Sequence, residues 1–254
     1  MGVIQDIAPN NRSILSGMFA NHKRQRVVIN AAFYFSFGKA FADSETVPEV
    51  AMLRMGTITL LGGDPTHPAV PELFKDLSQA LIIPETQAWS DSIRKALGKR
   101  AEEIDRWGFS LTGLDVTHLR TLSEQTVEGY EIQAIHEDEN LAREIGKVSG
   151  ATAYGTFEEF AMHCVGFCTV SEEKANGIAL SYTNSRHGIE VQISIGKAHR
   201  RKGLGTALGA SLIGYCLDLG IAPHWNAANE ISAELAKKLG YLQNDFYHPF
   251  KLSS

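Results

Sequence analysis

No apolar run in this chain approaches the roughly 20 residues that a membrane span requires; the longest candidates, residues 58–61 and 203–215, are short or broken by Gly, Thr and Ser. Positive charge is not in excess either. The 24 Lys and Arg stand against 29 Asp and Glu, a net charge of -5, so nothing is set to neutralise a phosphate backbone, and nucleic acid is excluded as the main ligand. Residues 1–10 lack a basic stretch followed by an apolar run, so no secretory signal is expected and the cytoplasm is the expected compartment. Cysteine is scarce: Cys164, Cys168 and Cys216 cannot all pair within one chain, which excludes a disulfide framework. Cys164 and Cys168 have the gap of some metal sites, but no second Cys or His pair completes four ligands. Buried, reduced cysteines and no bound metal are therefore expected. Internal repeats and low-complexity segments are lacking as well.

What remains is an ordinary globular mix, 44% apolar and 21% charged over 254 residues, enough for one large domain or two modest ones. In the first half, residues 31–37 and 55–61 read as apolar strand-like runs, the second closed by the turn signal Gly62-Gly63-Asp64-Pro65. Pro71 with Leu73, Phe74, Leu77 and Leu81 keeps helical spacing, and residues 89–107 read as a second helix. From Glu131 the alternation sharpens. Strands are predicted over 131–135, 165–170, 177–182, 188–195 and 222–226, and helices over 138–147, 156–163, 204–219 and 230–239, the last closed by Gly240. Three successive strands before a long helix and another strand predict an α/β (α+β) scaffold, a mixed sheet covered by helices, and not a doubly wound nucleotide fold.

The chemistry concentrates in His199-Arg200-Arg201-Lys202-Gly203-Leu204-Gly205-Thr206, between a strand and the long helix. A Gly-rich strand-to-helix turn leaves the first helical N–H groups unpaired, and with the helix dipole they form an anion site. Gly203 and Gly205 let a diphosphate approach the backbone, while Arg200, Arg201 and Lys202 add charge. Competing phosphate motifs fail: Gly38-Lys39 and Gly196-Lys197 lack the upstream Gly and the hydroxyl of a P-loop. Gly203-Leu204-Gly205 is not followed by the third glycine of a dinucleotide turn.

The run Arg200-x-x-Gly203-x-Gly205 resembles the signature by which the GNAT superfamily of N-acetyltransferases binds the diphosphate of acetyl-CoA. Asn229-x-x-Ser232-x-x-Leu235-Ala236-x-Lys238-Leu239-Gly240-Tyr241 is similar to that superfamily's closing motif, and the two occur in the right order. The resemblance is close over residues 165–241 and extends back to about Glu131. Pro223-His224-Trp225-Asn226 with Asn229 and Ser232 further resembles a bacterial subgroup with an additional N-terminal half. It implies a mixed, largely antiparallel GNAT-type sheet in a catalytic domain over 125–254, preceded by an accessory α/β domain over 1–124 that would also suit a degenerate GNAT-like fold.

The resemblance also implies roles. Backbone groups of Ile193, Ser194 and Ile195 would hold the pantetheine arm. The amides from Arg201 to Thr206 would hold the diphosphate, with Asn229 and Ser232 facing the acyl donor. Arg200 is left with two roles, touching phosphate or bracing the loop. Glu190 lies where many members keep a general base; its other reading is a solvated or salt-bridged strand carboxylate. The tyrosine that often protonates the leaving thiolate is here Ala236, and Tyr241, Tyr247, Ser232 and Cys216 are chemically able to replace it. The implied reaction is acetyl transfer from acetyl-CoA to a small-molecule or peptide amine. The competing reading is a non-catalytic acyl-CoA-binding or regulatory module. Acceptor, acyl length and oligomeric state stay open, since fold does not fix function.

Overall fold

The period-two geometry of the strand Gly188–Ile195, on which the second half is organised, turns Ile189, Val191, Ile193 and Ile195 to one helix-covered face. The structure is a computed structural model and describes residues 4–125, 127–149, 153–171, 174–186 and 188–252. It divides into two compact units, one of residues Met1–Asp105, Thr152–Gly155 and His248–Ser254, the other of Arg106–Ala151 and Thr156–Tyr247. Residues 106–124, placed in the first half by the sequence division at 124/125, thus group with the second unit, and the C-terminal residues with the first.

In the second unit a five-stranded sheet runs in the order Ala222–His224, Gly188–Ile195, Lys174–Ser185, Gly166–Ser171, Glu131–Ala134. All its pairs are antiparallel except Gly188–Ile195 with Ala222–His224. The helix Leu204–Asp218 covers the face carrying Ile189 and Ala179, burying Leu208, Leu212 and Cys216 against it. Ala207, Gly209, Ala210 and Ile213 are buried as well, while Leu219, the last residue of the predicted helix, lies beyond its observed end and is exposed. A second sheet of three strands, Asn226–Ala227, Arg106–Ser110 and Leu242–Tyr247, is antiparallel throughout. Its core joins Phe109, Trp225, Ala236 and Tyr241. All three cysteines are buried, and none is in a disulfide.

The first unit departs further from the sequence reading. Residues 31–34, expected in a strand, end the helix Arg26–Tyr34, which buries Val27, Val28, Ala31 and Ala32. The Leu73–Leu81 spacing spans no single helix: Val70–Leu73 is one turn, and Leu81 lies in the strand Ala80–Ile83. The helix expected to reach Trp107 is Gln87–Leu97, capped by Thr86 and followed by the strands Ala101–Glu103 and Arg106–Ser110. Residues 55–61 divide between the strands Val50–Met55 and Ile58–Gly63. The seven-stranded sheet runs Gln5–Asp6, Lys39–Ala42, Val50–Met55, Ile58–Gly63, Ala80–Ile83, Phe250–Leu252, Ala101–Glu103.

Although no repeat is visible in the sequence, the topology repeats. In each unit four strands pair antiparallel in chain order and a fifth pairs parallel to the fourth, after an intervening helix. The units then differ: in the first, Phe250–Leu252 joins the same sheet beside the fifth strand, whereas in the second, Arg106–Ser110 pairs with Asn226–Ala227 and Leu242–Tyr247 in a separate sheet. Among the described residues no helix is long and apolar enough to cross a membrane.

Candidate functional site

Gly188–Ile195 pairs with Ala222–His224 only over Gly188, Ile189 and Glu190. After His224 the chain turns away at Trp225, and Asn226 and Ala227 pair instead with Gly108 and Trp107. The predicted strand over 222–226 is therefore two short strands broken at Trp225. Among the described residues the break leaves the rest of Gly188–Ile195 without a strand neighbour on that side, so its backbone groups can pair with an extended ligand. A cleft of about 780 Å³ lies there. Ile193, Ser194, Ile195, Arg200, Arg201, Gly203, Leu204, Gly205, Thr206, Asn229 and Ser232 all line it.

The phosphate end of the cleft is the turn before Leu204–Asp218. Gly203 caps the helix at φ 88°, a left-handed conformation suited to glycine. Its carbonyl accepts from the amides of Thr206 and Ala207, and among the described residues the amides of Leu204 and Gly205 have no acceptor. At Gly205 an added Cβ would meet only ordinary contacts, 3.5 Å to Leu235 and 3.8 Å to Ile195. Internal packing does not demand that glycine, and its lack of a side chain keeps the cradle open to a bulky anion. Arg200 Nε donates to the Ile195 carbonyl at 3.0 Å, so this side chain braces the loop. Lys202 is the one predicted cofactor residue that does not line the cleft: its Nζ donates to the Tyr130 hydroxyl at 2.9 Å, and that hydroxyl meets His199 Nδ1 at 2.7 Å.

At the opposite end, where the strands separate, sits Glu190. Only 7% exposed, and with no ion pair within 4 Å among the described residues, it is neither solvated nor salt-bridged. Its Oε1 accepts from Asn226 Nδ2 at 2.7 Å. The Tyr247 hydroxyl donates to Asn226 Oδ1 at 3.2 Å, and Arg106 Nη1 donates to the Asn226 carbonyl at 3.5 Å. Burial pushes the Glu190 carboxyl up to about 7, against the opposing pull of the Asn226 hydrogen bond and the Arg106 charge. A carboxylate poised near neutrality suits proton abstraction. Asn226 lines the cleft, and Glu190 stands behind it.

The candidate acids fare unequally. Ala236 is fully buried, with no hydroxyl to offer. Tyr241 donates to the Pro223 carbonyl at 2.7 Å, and burial holds its phenol well above the ordinary range, which makes it a core strut. Cys216 lies on the sheet-facing side of the helix Leu204–Asp218, its thiol pushed up to about 12 by burial. Ser232 reaches the cleft, but its Oγ accepts from Trp225 Nε1 at 3.3 Å, and its amide is capped by Asn229 Oδ1 at 2.9 Å. Asn229 thus serves as the N-cap of Glu230–Lys238. Tyr247 belongs to the Glu190 network. Sequence reasoning missed the Asn226 and Arg106 contacts, because Arg106 is 120 residues from Asn226 and 84 from Glu190 in the chain.

The first unit has no comparable cradle among its described residues. The turn after Ile58–Gly63 carries Asp64, whose carboxylate accepts from the Thr66 amide at 2.8 Å, and the helix beyond it is one turn long. A larger groove of about 1060 Å³ elsewhere in that unit mixes Lys39, Arg54 and Lys75 with Asp6, Glu72 and Asp76. Asp43, Glu49 and His67 approach one another closely enough to hold a cation. However, His67 Nδ1 accepts from the Ala69 amide at 3.3 Å, which leaves Nε2 as the protonated nitrogen of a neutral ring, turned to the two carboxylates.

The family model for GNAT acetyltransferases matches residues 17–250, far more of the chain than the motifs alone suggested. A Bacillus subtilis protein described as the uncharacterized N-acetyltransferase YdfB is 23% identical over 267 residues, covering 95% of each chain. A GCN5-related N-acetyltransferase-like protein from Streptococcus suis is 25% identical at a TM-score of 0.83, over 95% of this chain and 98% of the other. A tandem GNAT protein from the clavulanic acid biosynthesis pathway, 12% identical, shares the fold over 99% of both chains at a TM-score of 0.59. The strand order, the cleft at the parting of two parallel strands and these matches agree: the chain belongs to the GNAT acetyltransferase family.

Proposed function

We propose that the protein is an acetyl-CoA-dependent N-acetyltransferase that acetylates a primary amine, with the catalytic machinery in the second unit. The observation that carries this reading is a cleft with an anion cradle at one end and a buried, near-neutral carboxylate behind Asn226 at the other. Unpaired amides at Leu204 and Gly205, an open floor at Gly205 and adjacent Arg201 fit a diphosphate. When bound, acetyl-CoA supplies the thioester whose acyl group is transferred.

Glu190 accepts the ammonium proton of the acceptor, through a water at the Asn226 wall, and so frees the nitrogen lone pair. The C–N bond forms at the thioester carbonyl, the C–S bond breaks, the electron pair leaves on sulfur, and the nitrogen, cationic once bonded to carbon, gives one further proton to water to become the neutral amide. With alanine at 236 that thiolate takes its proton from solvent, which a thiol's modest basicity allows. Holding amine and thioester together in the cleft supplies a further share of the acceleration.

Calorimetry with acetyl-CoA tests this reading. Gly205→Glu places negative charge in the cradle where internal contacts leave room, and a like-charge juxtaposition costs several kcal/mol, roughly a 100-fold weaker association. Equal binding by the wild type and this variant would remove the diphosphate assignment. Ala236 favours one other reading, a binding module without turnover; amine-dependent release of the CoA thiol decides against it.

A further inference from the structure

We propose that Asn226 is the positioning residue of this site: its side-chain nitrogen, aimed by the Tyr247 hydroxyl, holds the Glu190 carboxylate at the closed end of the cleft and favours its charge. As a role in acetyl transfer this rests on the reading above; as a statement about Glu190 it rests on geometry alone.

Asn226 stands at the one point where its three neighbours converge. The break at Trp225 swings it out of the Ala222–His224 strand and into register with Gly108. There its Nδ2 lies 2.7 Å from Glu190 Oε1 and its Oδ1 3.2 Å from the Tyr247 hydroxyl. An ionised carboxylate only accepts, so it needs the nitrogen end of the amide; the tyrosine hydroxyl donates to the oxygen end and satisfies it. The two bonds run in one direction, and each polarises the next. Hydrogen bonds to a charged group are stronger than those between neutral groups.

The charged and titratable groups around Glu190 leave Asn226 this task. Arg106, on Arg106–Ser110, favours the carboxylate through its charge, but its hydrogen bond goes to the Asn226 carbonyl. His224, paired with Glu190 across the parallel strands, is held toward its neutral form by burial. Tyr241 points its hydroxyl at Pro223, and Cys216 lies beyond it. On Lys174–Ser185, the residue opposite Glu190 is the uncharged Thr183.

The direct test follows the Glu190 carboxyl carbon by NMR titration of protein labelled at the glutamate side-chain carboxyl, the signal assigned by its loss in Glu190→Gln. Asn226→Ala should move the midpoint up by at least one pH unit, and Tyr247→Phe by a smaller amount. Asn226→Asp, nearly isosteric and still able to accept from Tyr247, should move it furthest, because it sets carboxylate against carboxylate. A role in shape alone predicts that Asp is tolerated without a shift. An unmoved midpoint in Asn226→Ala or in Asn226→Asp overturns the proposal, and Tyr247→Phe decides in the same way should those variants fail to fold. Acetyl-CoA calorimetry on the same samples separates the two readings: a moved midpoint without binding sinks the transferase and leaves the Asn226 assignment standing.

Discussion

Glu190→Gln is expected to make the fold more stable in alkaline solution while removing the proposed activity. The Glu190 carboxyl is raised from 4.5 to about 7 by burial, so between those values the folded chain binds more protons than the unfolded one. Stability therefore falls as pH rises through that window and levels off above it. The difference corresponds to about 3 kcal/mol of stability lost by pH 8 and none lost at pH 4. Glutamine keeps an acceptor oxygen for Asn226 Nδ2 and never has to be buried as a charge. Urea unfolding at the two pH values checks this: the variant should gain about 3 kcal/mol at pH 8 and nothing at pH 4. An equal effect at both would mean that the substitution acts through packing and that Glu190 is not a strained buried acid. In acetyl transfer, loss of the base is expected to slow turnover by roughly 10²- to 10⁴-fold. A variant more stable and less active than its parent is what a functional, energetically unfavourable group produces.

How much of this was readable beforehand depended on whether the determinants are local. The cradle was legible because a glycine turn, a helix start and the preceding strand are encoded within about ten residues. Gly188–Ile195 and the helix beginning at Leu204 consequently lie where the pattern placed them. Glu190 could be named from its position, but its state could not, since burial depends on Trp225 turning aside and on Tyr247, 57 residues away. In the first unit local pattern misled. Phe33, Tyr34 and Phe35 suggest a strand by composition, yet Val27, Val28, Ala31 and Ala32 form a helical face that buries. The Leu73, Leu77, Leu81 spacing matches a helix by coincidence, because Leu81 is held by parallel pairing with Ile58. Pairing of that kind, between segments distant in sequence, leaves little trace in periodicity. It also explains why a repeated topology is carried by two halves with no visible sequence repeat.

Deleting residues 248–254 is expected to unfold the first unit although the deletion lies at the far end of the chain. Phe250–Leu252 is an interior strand of the seven-stranded sheet, paired on one side with Ala80–Ile83 and on the other with Ala101–Glu103. Phe250 and Leu252 are 1% and 2% exposed, in one core with Ile82, Trp89, Ile93 and Leu97. Removing such side chains costs about 3–5 kcal/mol for the phenylalanine and 2–5 for the leucine, and the deletion also strands Ala101–Glu103 without a partner. Together these rival the whole stability of a small domain, about 5–15 kcal/mol. The three tryptophans permit a unit-by-unit reading: Trp89 belongs to the first unit, Trp107 and Trp225 to the second. In a chain keeping only Trp89, truncation after Tyr247 should abolish the cooperative fluorescence transition in urea, and Phe250→Ala should lower its midpoint. An unchanged Trp89 transition in the truncated chain would mean that the C-terminal strand is dispensable. The reciprocal strand, Arg106–Ser110, sits between Asn226–Ala227 and Leu242–Tyr247 and supplies both Phe109 and Arg106. A fragment cut at the sequence-based boundary before residue 125 would therefore lose the strand that seats Asn226 beside Glu190, and with it the site.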